Sequence, residues 1–103
     1  MIQGRGRWTR QNFEIHHAEH PEVYDRFCVW ALRAAAVREH YSAKIIFHRM
    51  RWESHIEERD SSFKIDDGWI SHYSRKFMED YPEHDGFFEI RNWKHGYFAE
   101  EAA

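Results

Sequence analysis

The stretch that decides the fold lies at residues 63–91 and reads FKIDDGWISHYSRKFMEDYPEHDGFFEIR. Asp66 is placed to cap a helix, and Pro82 ends it because proline disfavours helical geometry in the residue before it. Between these two signals, apolar side chains recur at three- and four-residue steps, the spacing of one helix face. They are Ile70, Tyr73, Phe77 and Tyr81. The spacing predicts a helix over 67–80 with one side buried.

Two further helices are expected upstream of this stretch. Pro21 suits the first turn of a helix that continues to about His40. Ser42 suits the N-cap of another helix, over 42–56. In that second helix three apolar residues fall on one face: Ile45, Trp52 and Ile56. We expect Trp52, like the other helical aromatic residues, to lie in the core.

Short segments with the composition of strands complete the predicted fold. They lie at residues 63–65, 87–91 and 97–98, which are rich in aromatic and β-branched residues. The fold class predicted is therefore mainly α with a minor β-sheet. Three helices followed by a strand pair would give a small winged-helix-like domain.

The two ends of the chain differ in composition from the rest. Residues 1–12 contain two glycines, three arginines and no acid, and are expected to form a flexible basic arm. Residues 99–103 read AEEAA and are expected to form an acidic tail. Residues 13–98 between them are of a length typical of a single helical domain.

The overall composition narrows the function classes. The chain has 103 residues and a formal net charge of −3, so nucleic-acid binding would have to come from local clustering of basic side chains. No run approaches the ~20 apolar residues of a membrane span. Cys28 is the one cysteine and excludes an intramolecular disulfide. A cytoplasmic location and a buried, inert thiol are expected.

The stretch 63–91 resembles a recurrent pattern in short proteins encoded by phages and prophages. The pattern is a Phe-x-Ile segment, a polar cap, a Tyr-x-x-x-Phe-Met helix, a Tyr-Pro stop and then Phe-Phe-Glu-x-Arg, and residues 51–53 (RWE) upstream also fit it. The likeness covers roughly residues 21–91. It implies a phage-type origin and a shared fold, and it carries no activity and no functional residue.

The polar side of the predicted helix at 67–80 supports the first functional hypothesis. It would present Ser71, His72, Arg75 and Lys76, which suit the recognition helix of a helix-turn-helix or winged-helix protein. Arg5, Arg7 and Arg10 of the arm would add phosphate contacts. The alternative is an ordinary solvated helix face, favoured by the long linker between residues 56 and 66 and by the nearby acids. We expect a small non-enzymatic, phage-type accessory protein that binds DNA.

A second hypothesis places the function in protein binding. Four aromatic residues lie near the chain ends, where burial is less assured: Trp8, Trp93, Tyr97 and Phe98. Exposed aromatics beside arginine form binding hot spots, although terminal packing or a homodimer would also cover them. Under this hypothesis the chain is a modulator, such as a phage inhibitor of a host defence or replication protein.

Enzymatic and metal-binding functions have less support. His16, His17 and His20 lie within five residues, but a zinc site needs further ligands that the sequence does not single out. No motif with the spacing of a hydrolase, phosphate-binding loop, dinucleotide site or metalloprotease is present. We therefore expect no cofactor, no bound metal and no enzymatic activity. A metal-dependent enzyme is the third and least favoured class.

Overall fold

The structure is a computed structural model that describes residues 7–60 and 62–89. It contains four α-helices in this part of the chain: α1 (Arg10–Glu19), α2 (Pro21–Ala35), α3 (Ala43–Trp52) and α4 (Ile70–Asp80). A π-helical turn, Glu53–Glu57, extends α3. Single 3-10 turns, Asp67–Trp69 and Pro82–His84, flank α4. The prediction of a mainly helical domain is confirmed.

The helix predicted over 67–80 forms from the signals that predicted it. The Asp66 carboxylate accepts a hydrogen bond from the Gly68 backbone N–H at 3.1 Å and so caps the 3-10 turn that opens into α4. Regular helix ends at Asp80, two residues before Pro82. Tyr73 and Phe77 on its apolar side are fully buried. α4 is therefore the central helix of the core.

The two predicted upstream helices also begin where expected. Pro21 occupies the first turn of α2, and the Ser42 hydroxyl accepts from the Ile45 backbone N–H at 3.3 Å at the start of α3. α2 ends at Ala35, five residues before the expected end near His40. The sequence contains no glycine or proline at this point, so no local signal marked the true end.

The core is an aromatic cluster centred on Tyr73. Its ring lies within about 6 Å of rings from three other helices, at centroid distances of 4.9 Å to Phe13, 5.7 Å to Phe27 and 5.9 Å to Phe47. Ring pairs at such distances add stability beyond the area they bury. Burial raises the pKa of the Tyr73 hydroxyl, so the ring stays neutral. Tyr73 thus places α4 in contact with α1, α2 and α3 in a single core.

The predicted minor sheet is not found among residues 7–60 and 62–89. One isolated parallel bridge joins Tyr41 to Phe88, and residues 63–65 belong to no helix or strand. Phe87 and Phe88 instead contribute buried rings to the core, since two adjacent aromatics can both be covered by the helices. Residues 97–98 lie outside the described part of the chain, as does the acidic tail.

The chain before Pro21 differs from the expected flexible arm. Residues 10–12 begin α1, which the Thr9 hydroxyl caps by accepting from the Asn12 backbone N–H at 3.1 Å. Pro21 starts α2 without preventing an earlier helix, because His20 separates the two. α1 buries one side chain, Phe13, which contacts His72 and Tyr73 of α4.

Candidate functional site

The side of α4 expected to face solvent is partly covered by α1. His72 is only 4% exposed, its ring stacks on Phe13 at 5.0 Å, and its Nε2 donates to the Trp8 carbonyl at 2.6 Å. Ser71 is half-buried and Ser74 is buried. The expectation that His72 points outward is therefore wrong, because an unpredicted helix lies across it.

The environment of His72 favours the neutral imidazole. Burial, together with the positive charges of Arg75 and Arg10, lowers the pKa of His72 to about 4. The neutral ring still donates through Nε2–H to the Trp8 carbonyl. His72 is thus a polar link between the N-terminal segment and α4, a geometry that suits holding α1 in place.

Four of the seven residues predicted to bind nucleic acid meet at one cleft between α1 and α4. The cleft has a volume of about 190 Å³ and includes Arg10, His72, Arg75 and Lys76 in its lining. Glu14 and Glu79 line the same cleft and offset much of its positive charge. Lys76 forms an ion pair with Asp80 at 3.4 Å and lies over the Tyr24 ring at 5.0 Å. The basic side chains converge, but Lys76 already has partners within the fold.

The remaining predicted nucleic-acid residues lie away from this cleft. Ser71 does not line it, and the Arg7 guanidinium lies over the Trp8 ring at 5.0 Å. Arg5 lies outside the described residues. Of the arm residues that the structure describes, Arg10 therefore lies beside α4 in the cleft and Arg7 does not line it.

The predicted protein interface is also different from expectation where it can be seen. Trp8 is half-buried, and its ring meets Trp69 edge to face at 4.8 Å. It closes the edge of the core beside α1. Trp93, Tyr97 and Phe98 lie outside the described residues.

The histidine cluster takes part in aromatic contacts at the end of α1. The rings of His16 and His20, the residue that follows α1, have centroids 5.4 Å apart, and His16 stacks on Trp69 at 5.0 Å. Burial lowers the pKa of His16, helped by His20 and His17. Among residues 7–60 and 62–89, no group of three or more His, Cys, Asp or Glu side chains is arranged to hold a metal. Cys28 is buried, which raises the pKa of its thiol and favours the inert form.

Three of the exposed large apolar side chains in this part of the chain lie on α3 and its π-helical extension. Ile45 is 48% exposed, Trp52 55% and Ile56 53%. The three recur at helical spacing on one side, while the opposite side buries Ile46, Phe47 and Met50. The expectation that Trp52 belongs to the core is wrong, because this second apolar stripe of α3 fills the core instead.

A stack of charged and aromatic side chains joins this stripe to α2. The centroid of the Trp30 ring lies 4.8 Å from the guanidinium carbon of Arg33 and 4.3 Å from that of Arg49. Its Nε1–H donates to Glu53 at 3.1 Å. The two cation–π contacts and the hydrogen bond together hold the ring in place. We name the surface formed by Trp30, Ile45, Arg49, Trp52 and Ile56 the α2–α3 face.

The π-helical turn Glu53–Glu57 is linked to α2 by contacts with Arg26. In a π-helical turn, residues five positions apart lie on the same side of the helix, so Glu53 and Glu58 face the same way. Arg26 of α2 forms ion pairs with both, at 3.4 Å to Glu53 and 3.2 Å to Glu58. Arg26 also donates to the buried Ser54 hydroxyl at 2.6 Å. Contacts with Arg26 therefore connect the segment that carries Trp52 and Ile56 to α2. Such turns are rare and frequently accompany functional sites.

Comparison with known proteins gives no match to a family model, to a curated protein or to a solved structure. No helix in the described ranges is both long enough and apolar enough to cross a membrane.

Proposed function

We propose that this chain is a small non-enzymatic protein-binding module whose contact surface is the α2–α3 face. The observation that carries the proposal is the exposure of Ile45, Trp52 and Ile56, each about half exposed along α3 and its π-helical extension. A single exposed apolar residue is ordinary, whereas several side by side mark interaction sites. A tryptophan flanked by arginines is also the composition of binding hot spots.

The electrostatics of the α2–α3 face favour a protein partner over nucleic acid. Arg49 pairs with Glu57 at 3.2 Å, and Arg26 pairs with Glu53 and Glu58. These internal pairs offset the positive charge that phosphate binding would need. Apolar side chains are left at the centre with satisfied charges around them, which is the arrangement of a protein interface.

A matched pair of variants tests the proposal. The wild-type protein, Trp52→Asp and Ile15→Asp are immobilised, and nuclease-treated extract of the native cells is passed over each. Ile15 lies on α1, away from the face, and its 53% exposure matches that of Trp52 closely. A stoichiometric protein retained by wild type and Ile15→Asp but lost with Trp52→Asp is expected. Identical binding by all three forms, or binding removed by nuclease, would contradict the proposal.

A second candidate function is DNA binding by a phage-type accessory protein, and the convergence of Arg10, Arg75 and Lys76 at the α1–α4 cleft favours it. The contacts would be to phosphate, since α1 obstructs insertion of α4 into a groove. A winged-helix mode would need strands from residues 87–98, most of which lie outside the described ranges. Under either function the protein would act in the reducing cytoplasm, where its free cysteine is stable.

Gel mobility shifts at low salt test this second candidate. Arg10→Ala with Lys76→Ala should weaken binding to any duplex and reduce its salt dependence, while Lys44→Ala on α3 should leave both unchanged. The absence of a shift with the wild-type protein at low salt would reject DNA binding.

A further inference from the structure

We propose that the cleft between α1 and α4 binds a single phosphate group, with Arg10 and Arg75 as its cationic contacts and His17 as a hydrogen-bond donor. This site is separate from the α2–α3 face and coincides with the cleft of the second candidate function. The phosphate group would belong either to a small phosphorylated molecule or to the backbone of a nucleic acid. Guanidinium groups suit phosphate because each can donate two parallel N–H bonds to its oxygens.

The size of the cleft fits one charged group rather than a large ligand. Its volume of about 190 Å³ is below the roughly 300–1,000 Å³ of pockets that enclose drug-sized molecules. Apart from Phe13, every side chain in its lining is ionisable. A small charged group therefore suits this cleft better than an apolar one.

The positive and negative side chains of the cleft differ in exposure. Arg75 and Lys76 are half-buried, whereas Glu14 and Glu79 are exposed. Water and salt screen exposed charges more strongly than partly buried ones, so the two acids offset the cations least inside the cleft. Lys76 already pairs with Asp80 at 3.4 Å and is not counted among the proposed contacts.

The electrostatic environment of His72 shows the sign of the charge inside the cleft. His72 is 4% exposed and forms part of the lining. Its pKa is lowered by burial and then by the positive charges of Arg75 and Arg10, with no described carboxylate among the causes. The potential beside His72 is therefore positive, which is the sign that attracts an anion.

His17 offers the cleft a polar atom that has no partner of its own. It lines the cleft, and its Nδ1 is buried without a hydrogen-bond partner among the described residues. A buried polar atom without a partner is unfavourable, and a phosphate oxygen would satisfy this one when Nδ1 carries the proton. Arg10 and His17 lie on α1 and Arg75 lies on α4, so the proposed contacts come from both walls of the cleft.

An NMR titration of the full chain with sodium phosphate at constant ionic strength tests the site. Amide signals of α1 and α4 should shift and saturate, with a dissociation constant on the order of 1 mM, because a few charge-assisted hydrogen bonds form in a cleft open to water. Sodium chloride at the same ionic strength should not reproduce these shifts. No saturable shift up to ~50 mM phosphate, or equal shifts with chloride, would overturn the proposal.

Matched variants test which side chains form the site. Arg10→Gln, Arg75→Gln and His17→Phe should each weaken phosphate binding about threefold to tenfold, because each removes a proposed hydrogen-bond donor. Lys44→Gln removes one positive charge from α3, outside the cleft, and should change the affinity less than about twofold. Equal weakening by Lys44→Gln and Arg10→Gln would assign the binding to net charge and overturn the site. Circular dichroism checks that each variant keeps its helix content.

Glu14→Gln gives a test of opposite sign. It removes a carboxylate from the cleft without removing a proposed contact, so phosphate affinity should rise about twofold to fivefold. Glu39→Gln is the control, since it makes the same charge change at an exposed position after the end of α2. An affinity that Glu14→Gln lowers, or raises no more than Glu39→Gln does, would contradict binding in this cleft.

Parallel titrations with glycerol phosphate and with a short DNA duplex identify the source of the phosphate group. Shifts of the α1 and α4 signals with glycerol phosphate but not with the duplex would support the site and reject DNA binding. Shifts with the duplex that inorganic phosphate competes away would support the site and assign it to a nucleic-acid backbone. Duplex binding that neither phosphate nor Arg10→Gln affects would overturn the phosphate site and leave DNA binding to another surface.

Discussion

Two surfaces of this small domain differ from expectation in opposite ways: one that was expected to be exposed is covered, and one that was expected to be buried is exposed. The α1–α4 corner, made of Trp8, Phe13, His16, Trp69 and His72, contains residues expected to be free for binding, and there they are stacked and covered. The α2–α3 face contains residues expected to be in the core, and Ile45, Trp52 and Ile56 are about half exposed. The difference indicates that the polarity of the side chains does not by itself determine which surface is exposed to solvent. Exposure depends on whether a segment distant in sequence packs over that surface.

The two regions are also held together differently. The α2–α3 face is fixed by ion pairs and cation–π contacts around Trp30 and Arg26, on helices that bury several apolar side chains each. In the α1–α4 corner, α1 contributes one buried side chain, and two buried ring nitrogens of α1 find no hydrogen-bond partner among the described residues. These atoms are His16 Nε2 and His17 Nδ1. Since each such atom costs about 1–3 kcal/mol, the corner should open more easily than the face.

The largest effect should come from removing the apolar anchor of α1. Phe13→Ala deletes the ring that contacts Trp69, His72 and Tyr73, and should destabilise the protein by about 3–5 kcal/mol in urea unfolding. Ile15→Ala on the same helix is the control and should change stability by less than about 0.5 kcal/mol, because that side chain is half exposed. Equal effects of the two substitutions would show that α1 is not anchored through Phe13.

Acid should open the same corner through His72. Its pKa of about 4 in the folded protein lies below the ordinary value of 6.5, so the proton binds more tightly when the site is open. The contribution of His72 to stability is therefore complete above about pH 6.5 and is lost as the pH falls towards 4. The full loss is about 3 kcal/mol. Unfolding free energies measured across this range should fall accordingly, and His16, whose pKa is also lowered, adds in the same direction.

His72→Gln is the control for the acid effect. Its amide can still donate to the Trp8 carbonyl but does not titrate, so the decline in stability between pH 6.5 and 4 should become shallower. Trp52→Ala on the α2–α3 face should leave the pH profile unchanged. A profile that is equally steep with glutamine at position 72 would assign the acid sensitivity to other groups.

Substitution of Gly68 should destabilise the α1–α4 corner less than the loss of the Phe13 ring, because it crowds one side chain. A methyl group there would run into the body of the Trp8 ring, so Gly68→Ala should displace Trp8 from Trp69. The expected cost is about 1–3 kcal/mol, with a shift in tryptophan fluorescence. In a Trp8→Ala background the crowding is gone and most of that cost should disappear. The same cost in both backgrounds would exclude the Trp8 ring as its cause.

The sequence predicted the features that depend on neighbouring residues. Asp66 and Ser42 cap helices as expected, and Pro21 and Pro82 mark a start and a stop, because each acts within one helical turn. The mainly helical fold follows from these local signals. The end of α2 at Ala35 has no such signal and was misplaced.

The candidate site could not be predicted because it depends on contacts between distant segments. His72 is covered by Trp8 and Phe13, some sixty residues earlier, and no periodicity within α4 reveals this. α3 carries two apolar stripes, and only packing against α2 and α4 shows that Phe47 is inside and Trp52 outside. The two adjacent rings at Phe87 and Phe88 suggested a strand but are buried by the helices instead.

The smallest effect compares two N-caps of the same chemistry, one in each region. Thr9→Ala and Ser42→Ala each remove a hydroxyl that accepts from a backbone N–H, and each should cost about 1 kcal/mol. Hydrogen exchange should separate them. Loss of the Thr9 cap should lower protection only within α1, because that helix is joined to the core through Phe13 alone among its buried side chains. Loss of the Ser42 cap should lower protection throughout the core, because α3 buries Ile46, Phe47 and Met50 against the other helices. Equal loss of protection in α3 after Thr9→Ala would mean that the corner and the face open together, and that the α1–α4 corner is not the weaker of the two.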